Sequence, residues 1–270
     1  MESVATQRES FDARYGPWAV VTGASEGIGR SFATALARHG LHLVLVARRS
    51  QLLDDLAATL AKDHGRQCEV LAADLSTAEG VARVLDGTAR HDVGLVVCSA
   101  GFGTAGPFLA GDIGEELDML QVNCGATTAL SWGFGRRFAS RGRGGLILLS
   151  SIVAFQGVPR AAHFASTKSF VQTLAEGLRI EWAERGIDVL AVAPGPVSTG
   201  FAGRSKLSMG RAESPDVVAL ESLEALGRRG TVRPGLLAKV LGYSLAMTPR
   251  WGRTRIMAMV MRGMTKHHAT

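Results

Sequence analysis

Cysteine is scarce in this 270-residue sequence: Cys68, Cys98 and Cys124 show no paired spacing and no neighbouring histidine cluster. That scatter speaks against a disulfide framework or a metal site and fits reduced thiols in the cytosol. No uncharged apolar run of about 18 residues occurs, so a transmembrane helix is not expected. The first seventeen residues also lack the apolar run of a secretory signal. Acidic residues disappear after Glu224, whereas Arg228, Arg229, Arg233, Lys239, Arg250, Arg253, Arg255, Arg262 and Lys266 follow it. These nine belong to a total of 30 cations, leaving 21 against 24 acids, so the net charge of +6 resides in the tail. A nucleic-acid surface spread over the fold is not implied. We expect a cytoplasmic protein without a nucleic-acid partner.

What is present is an alternation of apolar runs and helical patterns. Trp18–Thr22, residues 41–47, 69–73, 95–98, 144–150 and 187–193 read as buried strands. Helices are expected over residues 31–39, 51–64, 113–141, 162–185 and 214–228, the last with Ser214 as N-cap and Pro215 in its first turn. Strands written as continuous apolar runs between helices imply a parallel sheet covered on both faces. The fold class is therefore a single α/β domain, a doubly wound, Rossmann-like sheet. The expected division is an extension over 1–16, a nucleotide-binding core over 17–200, a lid and helix over 201–235, and a basic apolar tail over 236–270.

The first strand runs into Thr22-Gly-Ala-Ser-Glu-Gly-Ile-Gly29. Glycines at 23, 27 and 29 let the backbone turn tightly and approach a pyrophosphate seated on the helix N-terminus. Because the pattern follows a strand and opens a helix, Gly23, Ser25, Gly27, Ile28 and Gly29 are candidate nucleotide ligands. At the end of the second strand, where a carboxylate would bind a ribose 2′-hydroxyl, stand Arg48 and Arg49. Guanidinium groups pair with a 2′-phosphate and no acid is expected nearby to repel it, which favours NADP(H) over NAD(H).

The T-G-x-x-x-G-I-G spacing resembles the short-chain dehydrogenase/reductase family, and the likeness extends over roughly residues 17–200. Asp74-Leu75 matches the family's adenine-binding acid and its neighbour. Ser99, Ala100 and Gly101 sit where the family has Asn-Ala-Gly. Asn123 matches its helix Asn, and Pro194, Gly195, Val197 and Thr199 match the loop that contacts the nicotinamide carboxamide. Ser151 and Lys168 occupy the catalytic Ser and Lys positions, and the family's Tyr position holds Phe164. The phrase from Tyr15 to Ser25 is most similar to members that reduce acyl or steroid-like ketones.

The resemblance implies hydride exchange between a nicotinamide and a carbonyl carbon. Ser151 would polarise the carbonyl oxygen, Lys168 would bind the nicotinamide ribose, and Asn123 would anchor a water relay. Phe164 carries no proton, and losing a general acid costs about 10²–10⁴ in rate. The leading expectation is an NADP(H)-dependent oxidoreductase, impaired or modified, acting on an apolar carbonyl or alcohol. Alternatives are an NADP(H)-binding protein without turnover, an isomerase or lyase of the same fold, and a chain engineered Tyr→Phe to trap a complex. His163 stands about 100° around the helix from Phe164 and reads as a surface or loop-facing residue. The end of the chain is read as lacking the family's short final strand, which leaves a homodimer as the expected assembly in place of a tetramer.

Phe102, Phe108, Phe155, Val158 and Phe201 are candidate walls of the substrate cleft, and residues 201–213 are expected to form a lid. The tail interleaves apolar residues with cations only. This composition fits a cover over the cleft, a dimer contact, or peripheral contact with a membrane surface.

Overall fold

Seven parallel strands assemble in the computed structural model, which describes residues 10–201 and 212–265. They are β1 (Trp18–Thr22), β2 (His42–Ala47), β3 (Cys68–Ala72), β4 (Val93–Cys98), β5 (Gly144–Leu149), β6 (Ile187–Val192) and β7 (Thr231–Val232). The sheet order is β3-β2-β1-β4-β5-β6-β7, every neighbour pair being parallel. Chain direction across the sheet reverses between β1 and β4, and sheets of this kind bind ligands at that switch point. The doubly wound fold is thus as expected. The expected lack of a final strand is corrected: Thr231–Val232 pairs with Ala191–Val192 of β6, two residues too short to leave a periodic signal.

Alternation along each strand splits the core into two layers. Val21, Leu43 and Leu45 face one side, against Phe32 and Leu36 of α2 (Gly27–Arg38), Leu53 and Leu56 of α3 (Ser50–His64), and Val218 of α8 (Pro215–Ala225). Val20, Val44 and Val96 face the other, against Val84 of α4 (Ala78–Gly87), Phe134 of α6 (Thr127–Arg141) and Val171 of α7 (Ala162–Trp182). Each of those side chains is essentially buried, so the hydrophobic effect acts on both faces.

Three local features depart from the expectations. The 113–141 helix is α5 (Ile113–Leu120) and α6 joined through a π-helical segment, Gln121–Ala126, which carries Asn123. α4 was not anticipated; its N-cap Thr77 accepts from the Gly80 amide at 3.0 Å. Part of the 1–16 extension is also built into the domain as α1 (Phe11–Tyr15). Arg14 Nη2 and the Tyr15 hydroxyl donate to one Asp188 oxygen on β6, at 2.6 and 2.7 Å.

Beyond β7 come α9 (Leu236–Ala246) and α10 (Arg250–Met264). Their inward residues Leu245, Met257 and Met261 make a third cluster with Val158, Ala161 and Ala165, and Phe164 packs at its edge. Among the described residues no helix is long and apolar enough to cross a membrane. The expected lid falls largely on residues 202–211, outside the described residues.

Candidate active site

The turn from β1 into α2 is shaped by close backbone approach. Gly23 has φ +68°, and a Cβ there would lie 2.9 Å from Ala100. A Cβ on Gly29 would lie 2.2 Å from the Gly23 carbonyl oxygen and 2.7 Å from Ser99 Oγ. Only glycine fits, and the α2 amides are left open toward the turn, which suits a pyrophosphate. Ser99 donates to the Thr22 carbonyl and Thr22 Oγ1 accepts from the Ala100 amide at 3.1 Å, so the ends of β1 and β4 are tied together. Ser25 is buried and Ile28 half-buried in the same turn.

At the end of β2, Arg48 and Arg49 are exposed. Arg49 Nη2 lies 3.2 Å from Ser25 Oγ and 3.0 Å from Glu26 Oε2. The expectation that no acid stands near the arginine pair is therefore corrected. Glu26 is distant from β2 in sequence, and only the glycine turn brings it there. Asp74, after β3, accepts from the Ser76 amide and hydroxyl at 3.0 and 2.9 Å. Those bonds, the backbone one foremost, hold its carboxyl below the usual range, and Arg48 adds attraction. Leu75 is buried beneath it.

The second half of the site lies past β4 and β5. Gly101 lets the chain pass close to two groups: a Cβ there would be 2.8 Å from Asn123 Oδ1 and 3.4 Å from Lys168 Nζ. Asn123 Oδ1 accepts from the Phe102 amide at 3.2 Å, and its amide nitrogen donates to Phe102 O at 2.9 Å and Thr167 Oγ1 at 3.0 Å. The Asn is thus a clamp on the strand end, fixed by the π-helical segment beneath it.

Lys168 is buried and donates to the Leu149 carbonyl at 2.9 Å. An ammonium has three donors, so this bond leaves capacity for further partners. Burial pushes its pKa down to about 8. Its Nζ stands 5.8 Å from the centre of the Phe164 ring, one helical turn earlier on α7. That ring packs against Phe201 with centroids 5.4 Å apart, and Gly103 leaves room for both.

The two serines after β5 divide their work. Ser150 is buried and donates to the Lys168 carbonyl at 3.1 Å. Ser151 is half-buried; its Oγ reaches Pro194 O at 3.5 Å and the Val153 amide at 3.4 Å, both long contacts. Ser151 thus retains hydroxyl capacity, whereas Ser150 is a structural pin. The loop after β6 completes the edge: Pro194 O accepts from the Ile152 amide at 3.0 Å, Gly195 approaches Ala238 and Val197 is buried. Thr199 lies against Gly27, where a Cβ would be 2.8 Å from its methyl.

All the candidate residues therefore stand at the C-terminal edge of the sheet. Of the candidate walls, Val158 is buried under the C-terminal helices, Phe155 lies beneath the Arg233 guanidinium, and Phe108 is exposed. His163, expected at the surface or facing a loop, is half-buried: its Nδ1 is 2.6 Å from Oε2 of the buried Glu116. Thr167 was missed, although it links Asn123 to the Phe164 carbonyl, to which it donates at 2.8 Å. A buried Thr at helical spacing reads as core, so nothing in the pattern marked it.

A parallel sheet in this order, with a glycine turn at its switch point and Ser, Lys and Asn gathered on the same edge, defines the class of doubly wound nucleotide-binding proteins. The model of the short chain dehydrogenase family matches residues 17–209, and the chain belongs to that family. It is an oxidoreductase-family member 30% identical over 232 residues to a 7β-hydroxysteroid dehydrogenase of Clostridium sardiniense, covering 84% of this chain and 89% of that protein. The very-long-chain 3-oxoacyl-CoA reductase of Homo sapiens is 26% identical over 258 residues, covering 94% and 82% of the two chains. A solved 7β-hydroxysteroid dehydrogenase superimposes with a TM-score of 0.85 at 25% identity, over 92% of this chain and 99% of that one. A short-chain dehydrogenase from Sphingobium yanoikuyae in complex with NADPH gives 0.77 at 29%, over 86% and 93%.

Proposed function

We propose that this chain is an NADP(H)-dependent oxidoreductase that interconverts a ketone and a secondary alcohol on an apolar substrate, with Phe164 at the position of the family's proton-transferring Tyr. The observation that carries the reading is the meeting of Lys168 and Asn123 at Gly101, with Ser151 following β5 on the same sheet edge as a glycine turn that admits no Cβ. Gly23, Ser25, Gly27, Ile28 and Gly29 would hold the pyrophosphate. Asp74 and Leu75 would hold the adenine, and Ser99 and Ala100 would floor the pocket. Pro194, Gly195, Val197 and Thr199 would hold the carboxamide. When bound, the cofactor supplies or accepts the hydride.

The chain's own residues do the rest. Ser151 Oγ donates to the substrate oxygen and stabilises charge developing there. Lys168 places an ammonium near that oxygen and donates to ribose hydroxyls. Phe164 fills the space of an acid without supplying a proton, so the proton that joins the oxygen comes from Lys168 or from solvent, and turnover is slow. Arg48 and Arg49 select the 2′-phosphate, with Arg49 exchanging Glu26 for it. NADP(H)-binding without turnover is a second reading, favoured by Phe164 itself.

The homodimer is proposed to form on the outer face of α5 to α7, where Trp132 and Phe170 stand exposed beside Cys124 and Gly125. The deciding experiment compares NADPH oxidation with a panel of bulky ketones for the chain and for Phe164→Tyr. We expect measurable turnover that rises about 10²-fold or more in the variant. Tight NADPH binding with no turnover in either protein would establish the binding reading instead.

A further inference from the structure

The sequence of α9, LLAKVLGYSLA, has Lys239 as its single charge. A helix apolar on every side belongs in a core or against lipid, yet α9 buries one side only. Ala238 and Leu245 face inward, whereas Leu236, Val240, Tyr243 and Met247 are 53 to 88% exposed. At spacings of four, three and four residues they fall within about 60° of one another around the helix. Four residues further, in the first turn of α10, Trp251 is also exposed.

The charges carried by α9 and α10 themselves are all positive, and the acid that reaches α9, Glu221, is taken up by Lys239. Arg250, Arg255 and Arg262 are exposed and, among the described residues, form no ion pair. The Arg255 guanidinium stands 5.2 Å over the Trp251 ring. The remaining cations have internal work: Lys239 pairs with Glu221 at 2.8 Å, Arg253 donates to the Thr248 and Ala246 carbonyls, and Arg233 lies between Phe155 and Tyr243. A second copy laid symmetrically on this face would set arginines against arginines, because a two-fold contact pairs a patch with itself. An anionic lipid surface instead accepts both components, the apolar stripe entering below the headgroups and the arginines pairing with them. Trp and Tyr suit the boundary between the two.

We propose that the outer face of α9 and the start of α10 seat on an anionic bilayer surface. The opposite side of the same two helices packs on Val158, Ala161 and Ala165 beside Phe164. The membrane contact and the wall of the cleft are then two sides of one helical layer, which opens the site toward substrates that partition into lipid. This contact does not depend on whether the chain turns over a ketone.

The test is co-sedimentation of the full chain with vesicles of phosphatidylglycerol and phosphatidylcholine, and with phosphatidylcholine alone. Two variants accompany it, Val240→Glu with Met247→Glu, and Arg250→Gln with Arg255→Gln and Arg262→Gln, both checked for native melting. Binding to the anionic vesicles that weakens with salt and drops by about tenfold or more in each variant is the expected result. The proposal is overturned if the native chain does not sediment with those vesicles, or if both variants bind equally well. It is also overturned if Val240→Glu with Met247→Glu halves the solution mass while the native chain leaves the vesicles unbound, which would assign the face to a second copy.

Discussion

The two ends of the sheet's C-terminal edge are built by different means. On the β1–β2 side the surface is backbone: Gly23, Gly27 and Gly29 stand where a Cβ would strike main chain or a fixed side chain, and the strand ends are hydrogen-bonded to one another. On the β5–β7 side it is side chain: Leu245, Met257 and Met261, contributed by the last two helices, are packed over the loop after β5. The first side tolerates almost no change at a few positions. The second tolerates many changes of shape, provided they stay apolar. A fold that binds one cofactor and varied substrates benefits from keeping these constraints apart.

The largest effect that separates the two sides is expected from Met261→Asp. A charge placed at this buried position costs about 3–5 kcal/mol and should detach α10. Thermal melting should fall steeply and ketone turnover should vanish. If NADPH affinity, measured by fluorescence, falls equally far, the separation is wrong.

Lys168 comes next, with an effect of about 3 kcal/mol that depends on pH. Its folded pKa of about 8 lies below the ordinary 10.5, because burial disfavours the ammonium. Between those values the unfolded chain holds a proton that the folded chain has released, so this group's contribution to stability rises with pH. Lys168→Met should therefore melt above the native cofactor-free protein near neutral pH, with the advantage shrinking as pH climbs from about 8 to about 10.5. A gap that stays constant across that range would refute the burial argument.

Gly29→Ala should weaken NADPH by about 1–3 kcal/mol, since the obstructing atom is a carbonyl oxygen that cannot step aside. The same clash strains the cofactor-free fold, so its melting temperature should fall as well. Arg48→Ala with Arg49→Ala should lower the NADPH to NADH affinity ratio by roughly tenfold, about 1.4 kcal/mol. An unchanged ratio would remove the arginines from cofactor choice. The smallest effect belongs to Glu26→Gln, which removes the competitor for an exposed guanidinium and should strengthen NADPH by less than about 1 kcal/mol.

The same contrast explains what could be read in the sequence. The glycine turn, the apolar strands and the Ser151–Lys168 segment were legible because backbone geometry fixes residue type and spacing together. β7 was not, since two residues show no period. Nor was the Glu26–Arg49 pair, whose members meet only after β1 and β2 lie side by side. The composition of the tail gave its character but not its sidedness. Ala238 and Leu245 turn inward and Tyr243 and Met247 outward, although all four lie in an apolar stretch that offers no polar side to tell them apart.

The π-helical segment between α5 and α6 has a consequence for how the gene can change. It holds one residue more than the regular winding would, so a one-residue deletion within Gln121–Ala126 would restore α-helical hydrogen bonding and look benign by length. It would also rotate everything before it by about 100° relative to α6. Asn123 would lose the Phe102 backbone, and Glu116 would be carried away from His163. A one-residue deletion elsewhere in α5 or α6 would turn one part against the other by the same angle, so the length of this helical stretch is constrained along its whole course by the groups the segment aims.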